Sequence, residues 1–144
     1  MSVTIEPARL DDLPAIESLL ERGHLPRAGV RDHLGTAVVA REGNRIVGCA
    51  AVELYGEAAL LRSVAVDHTS RGLGLGIRLT EAALTTARAS GVHAVYLLTE
   101  TAADFFPRFG FRPIARTEVS PAVRRSVEFT SACPESAQAM MAEL

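Results

Sequence analysis

The residues best placed to do chemistry are Arg71-Gly72-Leu73-Gly74-Leu75-Gly76-Ile77, which follow an apolar run, Val64-Ala65-Val66, and open a long helical pattern. A glycine-rich turn leading into a helix exposes successive backbone N–H groups. Together with the positive end of the helix dipole they form a site for phosphate. The turn is not a Walker loop, because no Gly-Lys-Ser/Thr closes it. It is not a dinucleotide fingerprint either, since Gly-x-Gly-x-x-Gly from Gly72 needs glycine where Ile77 stands. Five residues, Asp67 to Arg71, separate Val66 from Gly72, whereas in that fingerprint the first glycine follows its strand almost directly. A pyrophosphate-bearing cofactor is the functional reading, and a glycine-rich connection into a buried helix is the structural one.

The elements that must hold this turn follow from periodicity. Val3 and Ile5 alternate with polar neighbours as a first strand. Asp11 and Asp12 precede Leu13, Ile16, Leu19 and Leu20 at helical spacing, with Gly23 as the stop. A second short helix is expected over Ala28–Leu34. Ala37–Arg41, Arg45–Leu54 and Ala58–Val66, joined by turns at Gly43 and Gly56, read as a three-strand antiparallel meander. Leu75, Leu79, Ala83 and Ala87 mark one helix face ending near Gly91, and His93–Leu98 reads as a buried strand. A short helix over Ala102–Phe109, a strand after Gly110, a further strand around Val127–Ala132 and a short C-terminal tail complete the pattern. The order is α/β, expected as a single domain over residues 1–144.

Bulk properties narrow the partners. The chain is 48% hydrophobic and 22% charged, with a formal net charge of −2. That balance gives no electrostatic reason to expect nucleic acid or an anionic membrane. The start of the chain has no apolar core of signal-peptide length, and no stretch is apolar enough to span a bilayer. Cys49 and Cys133 form no Cys-x-x-Cys pair, and His24, His33, His68 and His93 show no metal-ligand spacing, so neither a disulfide framework nor a metal is expected. A cytoplasmic setting is the default.

Arg71, Gly74 and Gly76 occupy the fixed positions of Arg/Gln-x-x-Gly-x-Gly/Ala. Ala102-Ala-Asp-Phe-Phe106-Pro-Arg-Phe-Gly110-Phe111 matches Phe-Tyr-x-x-x-Gly-Phe except at one position. The two motifs, in this order, resemble the GNAT N-acetyltransferase superfamily over roughly residues 1–115. The resemblance implies a GNAT-like acyl-CoA N-acyltransferase fold, with a mixed central sheet, splayed strands and flanking helices. It implies acetyl-CoA as co-substrate, with pantetheine paired to Val64, Ala65 and Val66 and pyrophosphate on Arg71, Gly72, Leu73, Gly74, Leu75, Gly76 and Ile77. The departure is Phe106, where the family often carries a tyrosine that protonates the leaving thiolate. A thiol of pKa near ~8.5 already leaves tolerably well, and general acid catalysis is worth about 10²–10⁴-fold, so the change slows the reaction without abolishing it. Tyr55, Tyr96, Ser63 or water are substitutes. The segment Arg124-Arg125-Ser126-Val-Glu-Phe129-Thr-Ser-Ala-Cys133-Pro134 is similar to the arsenic-resistance N-acetyltransferase branch, which implies an amino-acid-like arsenical amine as acceptor.

N-acetyl transfer needs a neutral amine, an electrophilic thioester and a donor to the developing oxyanion. The resemblance puts that donor in the backbone of Val64 to Val66, with Val66 at the strand end. Glu53 is the first choice for general base, an acid ending an otherwise apolar strand; half-buried, it would have a raised pKa. It is equally readable as a solvated residue before a turn. Glu100 is second and His68 third. Arg62 interrupts an apolar strand and either points to solvent or pairs with an acceptor carboxylate; Arg27, Arg31 and Arg124 are alternatives. Cys49 reads as a buried small hydrophobe. The expected function is direct transfer, in a ternary complex, to the primary amine of a small molecule. The rivals are a peptide or protein N-acetyltransferase and a catalytically weak acyl-CoA-binding sensor. A homodimer is left open.

Overall fold

Tight turns at Gly43-Asn44 and Gly56-Glu57 fold the front half of the chain into the expected meander. The computed structural model describes residues 2–144. Strand β1 (Thr4–Pro7) leads through helix α1 (Leu13–Arg22) to β2 (Ala37–Glu42), β3 (Arg45–Tyr55) and β4 (Ala58–Val66). Helix α2 (Leu75–Ala89) then carries the chain to β5 (Ala94–Thr99), β6 (Arg112–Ile114) and β7 (Gln138–Glu143). All seven strands form one mixed sheet in the order β1-β2-β3-β4-β5-β7-β6, with β4 and β5 parallel and the other neighbours antiparallel.

The two helices cover opposite faces, as the alternation of strand side chains requires. Leu13, Ile16, Leu19 and Leu20 of α1 pack with Val39, Cys49 and Ala65. Leu75, Leu79, Ala83 and Ala87 of α2 pack with Val38, Ala40, Val47 and Leu61.

Two departures from regularity in β4 create the working part of the molecule. Its parallel pairing with β5 covers only Ala58–Leu60 against Ala94–Tyr96, after which the strands separate. Against β3, the register runs from Cys49↔Ala65 to Ala51↔Arg62, an extra residue on β4. This bulge holds Ser63 at φ 61°, a left-handed conformation that a non-glycine residue seldom adopts.

The second half of the chain corrects several expectations. The strand expected over Val127–Ala132 is instead one wide helical turn, Glu128–Ala132. The strand lies in what was expected to be a tail, at β7, sandwiched between β5 and β6. Gln-Ala-Met-Met-Ala-Glu is rich in good helix formers, and its strand state comes from pairing on both edges. The helices expected over Ala102–Phe109 and Ala28–Leu34 are 3-10 turns, Phe106–Phe109 and Arg31–Thr36. Among the described residues no helix is long and apolar enough to cross a membrane.

Candidate active site

The separation of β4 from β5 opens a cleft of about 540 Å³, within the range of ligand sites (roughly 300–1,000 Å³). One wall is β4 from Leu61 to Val66, the other Leu97, Leu98 and Thr99 of β5. Since β4 is paired to β3 along its length but to β5 only at its start, the β5-facing backbone groups beyond Leu60 have no sheet partner. An extended ligand can hydrogen-bond there as a strand would.

The cleft reaches Arg71, the first residue of the glycine turn, while Gly72 to Ile77 lie beyond its lining residues. Asp67 ends β4, accepts a hydrogen bond from Thr69 N–H at 3.3 Å and is bound by Arg45, with Arg22 at 3.7 Å. Burial pushes the Asp67 carboxyl up, but the Thr69 N–H and the arginines outweigh it and hold the group below its ordinary value. The loop then reaches Gly74, the N-cap of α2, at φ 73°. No side chain caps this helix, so the N–H groups of Leu75, Gly76 and Ile77 are unclaimed by the helix and aimed outward. A Cβ on Gly72 or Gly74 would meet nothing within 4 Å. An open cradle of N–H donors at the positive end of a 15-residue helix, with exposed Arg71 on the cleft wall, fits a CoA pyrophosphate.

Behind the β4 bulge lies a buried ionic cluster. Arg62 donates from Nη1 to Glu53 Oε2 at 2.7 Å, from Nε to Ser63 Oγ at 3.0 Å and from Nη2 to the Pro26 carbonyl at 3.3 Å. Tyr55 donates its hydroxyl to Glu53 Oε1, and His33 Nε2 stands 3.6 Å from Oε2. Glu128 Oε2 is 3.5 Å from Arg62 Nε, and Cys133 Sγ is 3.6 Å from Glu128 Oε1. Gly29, at φ 82°, presses the loop after α1 onto this cluster: a Cβ there would stand 2.9 Å from Val127 and 3.1 Å from Arg62.

Two expectations change here. Glu53 is neither half-buried with a raised pKa nor solvated; its exposure is 0%. Burial pushes its pKa up, but hydrogen bonds from Ser126, Tyr55 and Arg62 outweigh this and hold it below the ordinary glutamate value. Glu53 is also absent from the cleft wall, whereas Glu100 and His68 stand on it. Arg62 does reach the wall, but each of its three nitrogens already has a protein acceptor, so it is not the free guanidinium expected for an acceptor carboxylate. Arg27, Arg31 and Arg124 do not line the cleft.

Val64, Ala65, Val66 and Arg71 are cleft residues, and Leu73, at 64% exposed, points away from the core. Phe106 is buried at the cleft floor, edge-on to Phe105 and Phe111. Tyr55, bound to Glu53 and with its pKa pushed up to about 12 by burial and that carboxylate, is not a cleft residue; Ser63 is. Sequence reasoning missed Glu128. It is 4% exposed and lies on the wall, and burial pushes its carboxyl up, only partly countered by Arg62. It lies inside the strand expected over Val127–Ala132, which is a helical turn instead. Cys49 is buried as expected. Burial pushes both thiols up to about 12, so neither is an available nucleophile. Among the described residues no cluster of metal ligands occurs.

Residues 33–113 match the model of the acetyltransferase (GNAT) domain. The chain is 31% identical over 120 residues to an uncharacterized N-acetyltransferase of Chlorobaculum tepidum, covering 78% of this chain and 77% of that protein. It is 30% identical to an amino-acid acetyltransferase of Mycobacterium tuberculosis, over 83% of this chain and 74% of that one. N-acetylglutamate synthase from Neisseria gonorrhoeae, solved with coenzyme A and N-acetyl-glutamate, superposes with a TM-score of 0.84 at 20% identity. That superposition covers all of this chain but 35% of the synthase, and at this identity it shows a shared fold.

Proposed function

Because the chain belongs to the GNAT acetyltransferase family and is an acetyl-CoA-dependent N-acetyltransferase, we propose that its acceptor is the primary amine of a small, amino-acid-like molecule. The observation that carries this reading is the wedge between β4 and β5, which reaches Arg71 at one end and is closed at the other by the Arg62 cluster. Its inner end is short and polar, suited to a small amine rather than a polypeptide. The relatives named as amino-acid acetyltransferases support the same class. The resemblance of residues 124–134 to the arsenic-resistance branch adds an organoarsenical amino acid to the acceptors worth testing.

Acetyl-CoA supplies an acetyl thioester whose carbonyl the amine attacks, forming a C–N bond as the C–S bond breaks. In this reading the N–H cradle of Leu75, Gly76 and Ile77 with Arg71 binds the pyrophosphate. Val64 to Val66 align the pantetheine and offer backbone N–H to the developing oxyanion. Glu53 serves by fixing Arg62. Transfer is direct, because both thiols are held protonated.

The test is free-thiol release from acetyl-CoA with a panel of amino acids and their phosphonate and arsenical analogues. An amine-dependent release for amino-acid-like members supports the proposal. Tight acetyl-CoA binding without release for any amine would show a sensor instead, and activity confined to peptides would show a protein acetyltransferase.

A further inference from the structure

We propose that Glu128 is the catalytic base, its carboxylate receiving the acceptor's ammonium group at the inner end of the cleft and removing the proton that blocks attack. The inference rests on the N-acetyltransfer reading above and adds the group that performs its first step. Four carboxylates border the diverging strands: Glu53, Asp67, Glu100 and Glu128. Glu53 has its oxygens engaged by Tyr55 and Arg62, has no exposure and lies off the wall. Glu100 is on the wall but exposed at the mouth, where water competes for any ammonium. Asp67 is buried and on the wall, but it is bound by Arg45 and the Thr69 N–H, with Arg22 at 3.7 Å, and these hold its carboxyl below the ordinary value. Glu128 is the buried wall carboxylate that lies at the inner end, beside the β4 bulge.

Position favours it as well. Arg62 Nε touches Ser63 Oγ at 3.0 Å and Glu128 Oε2 at 3.5 Å. The carboxylate therefore sits beside the β4 bulge, where the strands part and a thioester lying along β4 must end. Charge points the same way. One guanidinium, already bound to Glu53 at 2.7 Å, is shared between two carboxylates, which leaves the pocket one negative charge in excess. A desolvated site of that sign draws in an ammonium and repels a carboxylate, so the acceptor enters amine first. The groups facing Glu128 are Arg62 from β4, Glu53 from β3 and Cys133 from its own segment, with Tyr55 and His33 behind Glu53. Of the groups in contact with it, Arg62 is a cation, Glu53 is held ionised and Cys133 is held as thiol, while Tyr55 and His33 do not line the cleft. Desolvation also makes Glu128 a stronger base than a solvated glutamate, as general base catalysis near neutral pH demands.

The step balances. One proton passes from the ammonium nitrogen to a Glu128 oxygen, and the freed lone pair forms the C–N bond. The C–S electrons leave with sulfur, and the second amine proton ends on the released thiol. Glu128 returns its proton to water when the amide product departs.

The experiment compares wild type with Glu128→Gln in the thiol-release assay across pH, alongside the acetyl-CoA dissociation constant. In parallel, the Glu128 carboxyl carbon is titrated by NMR in protein labelled at glutamate. The expected result is a loss of about 10²–10⁴-fold in kcat/KM and disappearance of the acidic limb, with acetyl-CoA affinity unchanged. The Glu128 carbon should titrate above the ordinary glutamate range. Retention of the wild-type rate and acidic limb in Glu128→Gln overturns the proposal. So does a Glu128 that titrates with solvated glutamates, a readout that holds even if the variant fails to fold. A wild type that releases no thiol with any amine would sink acetyl transfer itself, while the titration still judges Glu128.

Discussion

Arg62 and Glu53 bear opposite charges, and neither side chain is exposed to water. A buried pair of this kind contributes modestly as a pair, yet removing one partner strands the other charge. Glu53→Gln is expected to destabilise the fold by about 3–5 kcal/mol, read as a lower urea midpoint at unchanged m-value. The pH dependence follows from the same contacts. Glu53, Asp12, Asp67 and Glu6 have folded pKa values below their ordinary ones, so the folded state binds fewer protons than the unfolded state. Their contribution is complete above about pH 5 and is lost as pH falls through the carboxylate range. Tm should therefore drop between pH 5 and pH 3, by less in a Glu53→Gln background. Glu128 has the opposite sign, its raised value opposing stability as it ionises. Composition made Glu53 conspicuous, an acid closing an apolar strand, but its role depends on Arg62 nine residues later and on Tyr55, Ser126 and His33. Such convergence has no local signature.

At the level of elements, the glycine turn was legible because its chemistry is local: left-handed Gly72 and Gly74, an uncapped helix start and Arg71 lie within one short stretch. Arg71→Ala is expected to raise the acetyl-CoA dissociation constant by about 10- to 150-fold, the loss of a charge-assisted hydrogen bond of about 1.5–3 kcal/mol. Calorimetry checks it, with little change in the stability of the free protein because Arg71 is exposed. The meander and both long helices were equally readable from alternation and from apolar spacing. What failed was the region after Gly110, where β7 carries helix-forming residues into a sheet and Glu128 rides on a single turn. β7 depends on long-range pairing with β5 and β6, and Glu128 on its contact with Arg62 of β4, which no window along the chain contains. Glu128, Cys133 and Ala137 from that region line the cleft, and none of them stands out in the sequence as a site residue.

For the molecule as a whole, the co-substrate binds the folded chain alone, so its concentration sets stability. At one hundred times its dissociation constant acetyl-CoA adds about 2.7 kcal/mol. In a chain of 144 residues this is a rise in Tm of roughly 5–10 °C, measurable by differential scanning fluorimetry and reduced by Arg71→Ala at fixed ligand.

The parting of β4 from β5 has a consequence beyond the reaction. True outer strands are guarded against association by charge, proline or brevity. The inner margin exposed past Leu60 consists of Leu61, Arg62, Ser63 and Val64-Ala65-Val66, apolar at its outer end and bordered on the far side by Leu97 and Leu98. It is an edge strand set in the middle of a sheet, able to accept any extended segment of suitable width. The ligand that gives it an activity also covers this exposed margin.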